Sequence, residues 1–178
     1  FALIEPVNAS VAPGAVLVAG VGETSDAYHM SSPHPEGAGA RAAMAAALQA
    51  AGLEPGDIDY VNLHGTGTPS NDAAEDHAVH SLFGSRVPVS STKGATGHTL
   101  GAAGIVEALI LALAIRHHLA PAGLNTRDVD PALKSRYLLS NLATRIDIGL
   151  SNSFGFGGAN CALVLGRADR LPDIRVIH

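Results

Sequence analysis

The stretch Val87-Pro88-Val89-Ser90-Ser91-Thr92-Lys93-Gly94-Ala95-Thr96-Gly97-His98-Thr99-Leu100-Gly101-Ala102-Ala103-Gly104, followed by Ile105-Val106-Glu107-Ala108-Leu109-Ile110-Leu111, decides how the rest of the chain is read. A short apolar strand runs into a loop carrying one lysine and one histidine, and the loop runs into a very apolar helix. Gly94, Gly97, Gly101 and Gly104 let backbone pass close to other groups, so Lys93 and His98 can be aimed into one crowded place. A strand, a polar loop and a helix in that order describe an active-site loop in an α/β domain.

The same alternation extends in both directions. Residues 1–14 contain Pro6, Pro13 and Gly14 without a clear period and read as a connecting segment. A strand over 15–21, a loop over 22–39 and an alanine-rich helix over 40–51 closed by Gly52 follow. Residues 58–63 read as a buried strand ending at His64-Gly65-Thr66-Gly67-Thr68-Pro69. A helix over 71–83 carries Asp72, Glu75 and Asp76 in its first turns, where the macrodipole favours negative charge. After the strand at 87–90 comes a helix over 100–118, with Arg116, His117 and His118 at its C-terminal end, stopped by Pro121 and Gly123. Residues 125–145 are polar and irregular, with a short strand at 137–139. Two final strand-like runs, 146–154 and 160–166, are joined by Gly155-Phe156-Gly157-Gly158 and predict an antiparallel hairpin. Residues 167–178 form a polar tail. The expectation is an α/β domain over 15–166, with a mixed, mostly parallel sheet, helices on both faces and an antiparallel ending.

With 178 residues, 47% of them apolar, the chain is long enough for one domain with a real core. A net charge of −5 and no Lys/Arg cluster argue against a nucleic-acid partner. The single cysteine excludes an internal disulfide framework and fits a reducing compartment. The longest apolar run, 105–115, contains Glu107 and is too short to span a bilayer, and there is no N-terminal basic-plus-apolar signal. These features read as a soluble cytoplasmic protein. Opening on Phe1, already inside ordered-looking sequence, it reads as a piece of something longer.

His64 and His98 each stand just past the end of a strand and among glycines, where open α/β sheets place their ligand crevices. A lone loop histidine is more often structural; two in this pattern favour a shared site. Lysines are usually solvated, but Lys93 follows an apolar strand with no other charge nearby. Glu107 interrupts an apolar helix and is either the partner of Lys93 or part of a thin exposed stripe. No zinc-type ligand spacing is present, so no metal site is expected, and His77, His80, His117 and His118 read as helix surface. Lys93 precedes its glycines, unlike the lysine of a phosphate-binding loop. Cys161 lies within a strand-like run and reads as a small buried hydrophobe. The residues leave two histidines, a lysine and no convincing nucleophile.

The chain resembles the C-terminal half of the β-ketoacyl-acyl carrier protein synthases, the condensing enzymes of fatty acid and polyketide synthesis. Three motifs in order carry the resemblance: His64-Gly65-Thr66-Gly67-Thr68-Pro69, then Lys93-Gly94-Ala95-Thr96-Gly97-His98 running on through Gly101-Ala102-Ala103-Gly104 to Glu107, then Asn152-Ser153-Phe154-Gly155-Phe156-Gly157-Gly158-Ala159-Asn160. Asp26-Ala27-Tyr28-His29-Met30-Ser31-Ser32-Pro33 is also similar to the family. The resemblance implies a thiolase-like fold, usually a homodimer, whose nucleophilic cysteine lies in an N-terminal half outside this chain. It implies His64 and His98 as donors to a thioester enolate, Lys93 as an electrostatic support holding Glu107, and Thr66, Thr68 and Ser31 against a phosphopantetheine arm. It further implies Phe156 as oxyanion-hole donor and gate, flanked by Gly155 and Gly157. No resident cofactor is implied, since phosphopantetheine arrives on an acyl carrier protein.

The resulting expectation is a decarboxylating, condensing acyltransferase, inactive without its N-terminal half and paired with it as a homodimer or heterodimer. Two other readings stand beside it. A non-catalytic chain-length-factor-like subunit would tend to lose the histidines, and a thiolase would use a cysteine in a motif different from Gly157-Gly158-Ala159-Asn160-Cys161.

Overall fold

In the computed structural model, which describes residues 2–7 and 11–172, the chain forms a six-stranded mixed sheet with helices on both faces. Strands β1 (Val16–Ser25), β2 (Tyr60–Asn62), β3 (Pro88–Ser90), β5 (Arg136–Tyr137), β7 (Ile148–Gly155) and β8 (Ala159–Arg167) lie in the order β1-β8-β7-β2-β3-β5. The pairs β7–β2, β2–β3 and β3–β5 are parallel, whereas β7–β8 and β8–β1 are antiparallel. The expected hairpin is present. The first strand also joins it antiparallel, as an edge. A separate two-stranded ribbon pairs β4 (Leu119–Ala120) with β6 (Leu142–Ala143).

Helices α1 (Ala38–Ala51) and α2 (Pro69–Phe83) cover one face of the sheet. Met44, Leu48, Val61, Val79, Val89, Leu150 and Val164 form the core between them. Each such side chain contributes about 1.5–3 kcal/mol by leaving water. The alanines of α1 have a structural reason. A Cβ at Gly20 would meet the Ala47 carbonyl oxygen and one at Gly22 the Ala43 carbonyl oxygen, so α1 lies directly on the backbone of β1. Helix α1 ends in the left-handed Gly52 (φ 66°), and α2 begins with Pro69 at its first position.

The four-residue helix α3 (Lys93–Thr96) and a short 3-10 turn, Leu100–Ala102, lead into α4 (Ala103–His117) on the opposite face. There Leu111 and Ile115 meet Tyr60, Ile146 and Leu165. With the preceding turn, the run Leu100–His117 reaches eighteen residues at a mean hydropathy of 1.7, long and apolar enough by composition to cross a membrane, which revises the expectation drawn from 105–115. In this fold it lies along the sheet. Its outer side carries Ile105, Leu109 and Leu113 at 37%, 46% and 50% exposure.

Other differences from the sequence reading are local. β1 continues through Gly22–Ser25, which the glycine suggested was loop, because its partners on β8 extend that far. The helix within the 93–98 loop was not anticipated: four residues with two of low helix propensity give no period. Of the connecting segment over 1–14, the described residues 2–7 and 11–14 have a turn but no strand or helix. Half of the expected tail, 173–178, lies outside the described residues; Arg167 still belongs to β8, and 168–172 form turns and bends.

Candidate active site

Parallel strands β2 and β3 end side by side, and the residues that follow each strand meet. Lys93, only 8% exposed, sits at the start of α3. Its ammonium donates to the carbonyl oxygen of His64 and to Glu107 Oε1, and lies 3.3 Å from His64 Nδ1. Glu107 reaches it from the inward side of α4, with its side chain 2% exposed. The alternative of a thin exposed stripe for Glu107 is therefore excluded. Burial pushes the Glu107 carboxyl up, and the adjoining Lys93 works against that.

The two histidine rings stand at right angles, 85°, with centroids 5.4 Å apart, and Phe154 of β7 packs on His64 at 5.6 Å. His64 is 5% exposed, and its pKa is lowered to about 3, first by burial and then by Lys93 and His98. It is neutral at pH 7. Because the Lys93 ammonium faces His64 Nδ1, the ring proton belongs on Nε2. His98 is exposed, and its Nδ1 accepts the Leu100 N–H at 3.2 Å, which also leaves the N–H on Nε2. Two neighbouring N–H donors beside a buried, paired cation suit an oxygen that becomes anionic during reaction.

The remaining sequence candidates lie on the loops after β2 and β7 and on the 26–36 loop. Thr66 and Thr68 follow His64, their hydroxyls 2.9 Å apart. Phe156 stands at the end of β7 with 82% exposure, between Gly155 and the left-handed Gly157 (φ 81°). Ser31 is exposed on the 26–36 loop, which is tied to the Phe156 loop by Gly157 N–H to Met30 O and by Asp26 N–H to Gly158 O, both 2.8 Å. Asp26 strengthens this tie, accepting from Asn160 Nδ2 and from the His34 N–H at 2.8 Å each. Thus His64, His98, Lys93 and Glu107 form one contacting cluster, while Phe156 and Ser31 belong to an adjoining pair of loops.

Cys161 differs from its expected burial. It is half-buried on β8, with Glu23 of β1 and Ser153 of β7 as cross-strand neighbours, and burial raises its thiol pKa with help from Glu23. A raised thiol is a poor nucleophile.

One buried group is not singled out by the sequence. Glu75, in the second turn of α2, is 2% exposed and turned inward. Its Oε1 accepts the His64 N–H and its Oε2 the Gly65 N–H, each at 2.8 Å, and Asn152 Nδ2 donates to Oε1 at 3.1 Å. The signal was available, because Asn71, Ala74, Glu75, Ala78 and Val79 occupy one helical stripe.

Among the described residues no group of three or more His, Cys, Asp and Glu side chains is arranged to hold a metal ion. Asn62 Oδ1, Ser151 Oγ and Glu107 Oε2 are buried without hydrogen-bond partners, and Asn62 and Ser151 are register neighbours on β2 and β7.

Residues 15–127 match the family model described as β-ketoacyl synthase, C-terminal domain. The chain belongs to the β-ketoacyl synthase family. It is 45% identical over 152 residues to the mitochondrial 3-oxoacyl-[acyl-carrier-protein] synthase of Arabidopsis thaliana, covering 82% of this chain and 33% of that protein. Among solved structures it is similar to a ketosynthase in complex with its chain length factor from Xenorhabdus doucetiae, with a TM-score of 0.84, 49% identity, and 89% of this chain matched to 40% of that one. It is also similar to a type II polyketide acyl-carrier protein in complex with its ketosynthase, with a TM-score of 0.81, 29% identity, and 85% of this chain matched to 38% of that one. The fold is therefore the thiolase-like one of the ketosynthases. The chain spans between a third and two fifths of the length of these relatives.

Proposed function

We propose that this chain supplies the decarboxylation half of a β-ketoacyl-acyl carrier protein synthase, acting in fatty acid or related polyketide biosynthesis. The observation that carries the reading is the neutral His64 beside His98, backed by the buried Lys93–Glu107 pair. A malonyl thioester bound there loses carbon dioxide as its carboxylate C–C bond breaks, and the electron pair moves into an enolate. The Nε2–H groups of His64 and His98 hold the enolate oxygen. The enolate carbon then attacks an acyl thioester on a cysteine of the N-terminal half, and the thiolate leaves. Burial, reinforced by Lys93, keeps His64 unprotonated, and Lys93 holds Glu107. Thr66, Thr68 and Ser31 bind the phosphopantetheine arm delivered by an acyl carrier protein, so no resident cofactor is required. Phe156 contributes its backbone N–H to the oxyanion hole and its ring to the gate, with Gly155 and Gly157 allowing movement.

The exposed Ile105, Leu109 and Leu113 stripe supports a covering partner for α4, which in this reading is the N-terminal half, on the same or a separate polypeptide. Both histidines favour a catalytic subunit over a chain-length factor. The half-buried Cys161, with its raised pKa, weighs against a thiolase.

The test is condensation of acyl and malonyl-acyl carrier protein with the chain alone and with its N-terminal half. The chain alone is expected to be inactive, and the assembly active. Replacing His64 or His98 with Ala should lower kcat by about 100- to 1,000-fold, whereas Cys161→Ala should change little. Condensation by the chain alone, or loss of activity in Cys161→Ala, would overturn the reading.

A further inference from the structure

The hydrogen bonds of Glu75 reach one of the proposed donors through its backbone. Its two carboxylate oxygens take two successive N–H groups, those of His64 and Gly65, at the point where the chain leaves β2 and turns. The turn leaves little room for error: Gly65 is left-handed (φ 44°), and a Cβ there would meet Ser91. Asn152, from the strand on the other side of β2, donates to the same carboxylate and ties the third sequence motif to the first. Few buried carboxylates are spent on two adjacent backbone donors without a geometric consequence.

We propose that Glu75, in its ionised form, is a positioning residue that clamps the His64–Gly65 turn and thereby directs the His64 ring toward His98 and Lys93. This rests on the role given to His64 above and adds to it a second buried carboxylate with a duty different from that of Glu107. Glu107 neutralises the lysine; Glu75 fixes the backbone. Neither can substitute for the other, because they approach from opposite faces of the sheet, on α4 and α2.

Glu75 also borders a cavity of about 500 Å³ at the ends of β2 and β3, which gives it a route to water. Burial raises its pKa to about 7, against the pull of the Gly65 and His64 N–H groups, Asn152 and Lys93. The charged and titratable groups around it are His64 on the β2 loop, Lys93 and His98 beyond β3, Asp72 and Asp76 on its own helix, and Asp128 and Asp130 on the loop before β5. The carboxylate is the form that accepts both N–H groups. The clamp therefore holds above about pH 7 and loosens as pH falls below it.

The test uses Glu75→Gln and Glu75→Asp in the complete synthase containing this chain, with malonyl-thioester decarboxylation measured against pH and backbone amide exchange followed at His64 and Gly65. Gln offers one acceptor oxygen and turns an NH2 group toward a backbone donor. The expected result is about a 100-fold loss of kcat, the scale set by an ångström of misplacement, with KM within about twofold. The acid limb near pH 7 should vanish, and exchange at both amides should quicken. Asp keeps the charge but falls one methylene short, so it should recover part of the rate and retain the limb. Parental rates, limb and exchange in Glu75→Gln would overturn the proposal. If that variant does not fold, parental rates and exchange in Glu75→Asp would overturn it equally. A parent enzyme with no decarboxylation at all would instead refute the functional reading, and amide exchange in the Gln variant would still decide the role of Glu75.

Discussion

Replacing Lys93 with Met removes the cation from Glu107 while keeping most of the apolar stem. Glu107 is 2% exposed, and its Oε2 already lacks a hydrogen-bond partner, so the stranded carboxylate has almost no water to turn to. Breaking a buried pair from one side costs about 3–5 kcal/mol. The cost has a ceiling, however, because Glu107 can take up a proton. Protonating a carboxyl of ordinary pKa 4.5 at pH 7 costs about 3 kcal/mol, and at pH 5 under about 1 kcal/mol. The sign follows from the raised folded-state pKa: the contribution is intact below the unfolded value of 4.5 and is lost as pH rises. Urea unfolding followed by circular dichroism should therefore show Lys93→Met destabilised by about 3 kcal/mol at pH 7 and far less at pH 5. Adding Glu107→Gln should restore most of the loss at pH 7. A penalty equal at both pH values, or no recovery in the double variant, would refute the assignment of Glu107 as a charge balanced by Lys93.

Two further outcomes follow from the same cluster. His64 has its pKa lowered from 6.5 to about 3, so the unfolded chain binds a proton that the folded chain refuses between those values; stability held above pH 6.5 is lost as pH falls toward 3, and His64→Phe should flatten that part of a melting-temperature profile relative to the parent. Gly65→Ala places a Cβ against Ser91 at a left-handed φ of 44°, and should cost about 1–3 kcal/mol in urea unfolding; a parental midpoint would show that the turn relaxes freely.

The parts of this molecule that were legible in the sequence are those where chemistry and local geometry coincide. His64 and His98 follow strand ends and carry glycines, and the fold brings them into ring contact. Lys93 and Glu107 were joined by the cost of burying either alone, and they do pair. The final hairpin was visible because Gly155 to Gly158 interrupts two apolar runs. What was hidden depended on distant partners. The antiparallel edge position of β1 requires knowing that β8 returns beside it, 138 residues later in the case of Glu23 and its register partner Cys161. Glu75 was hidden differently, since a carboxylate near the start of a helix has an ordinary explanation in the helix dipole, and only the tertiary position of the His64 turn gives it another.

Helix α4 presents two unlike sides, and the rigid helix between them makes them one mechanical part. Its inward side carries Glu107 to Lys93, while its outward side offers Ile105, Leu109 and Leu113 to whatever lies beyond. An axial slip of a single residue, about 1.5 Å, would lengthen and misalign the contact between the carboxylate and the ammonium. A neighbour seated on the outer surface, as proposed above, would therefore bear on the alignment of a charge on the inner one. Assembly and electrostatics would then share a single lever, and a loosely seated neighbour would be felt at Lys93 as a weakened counter-ion contact.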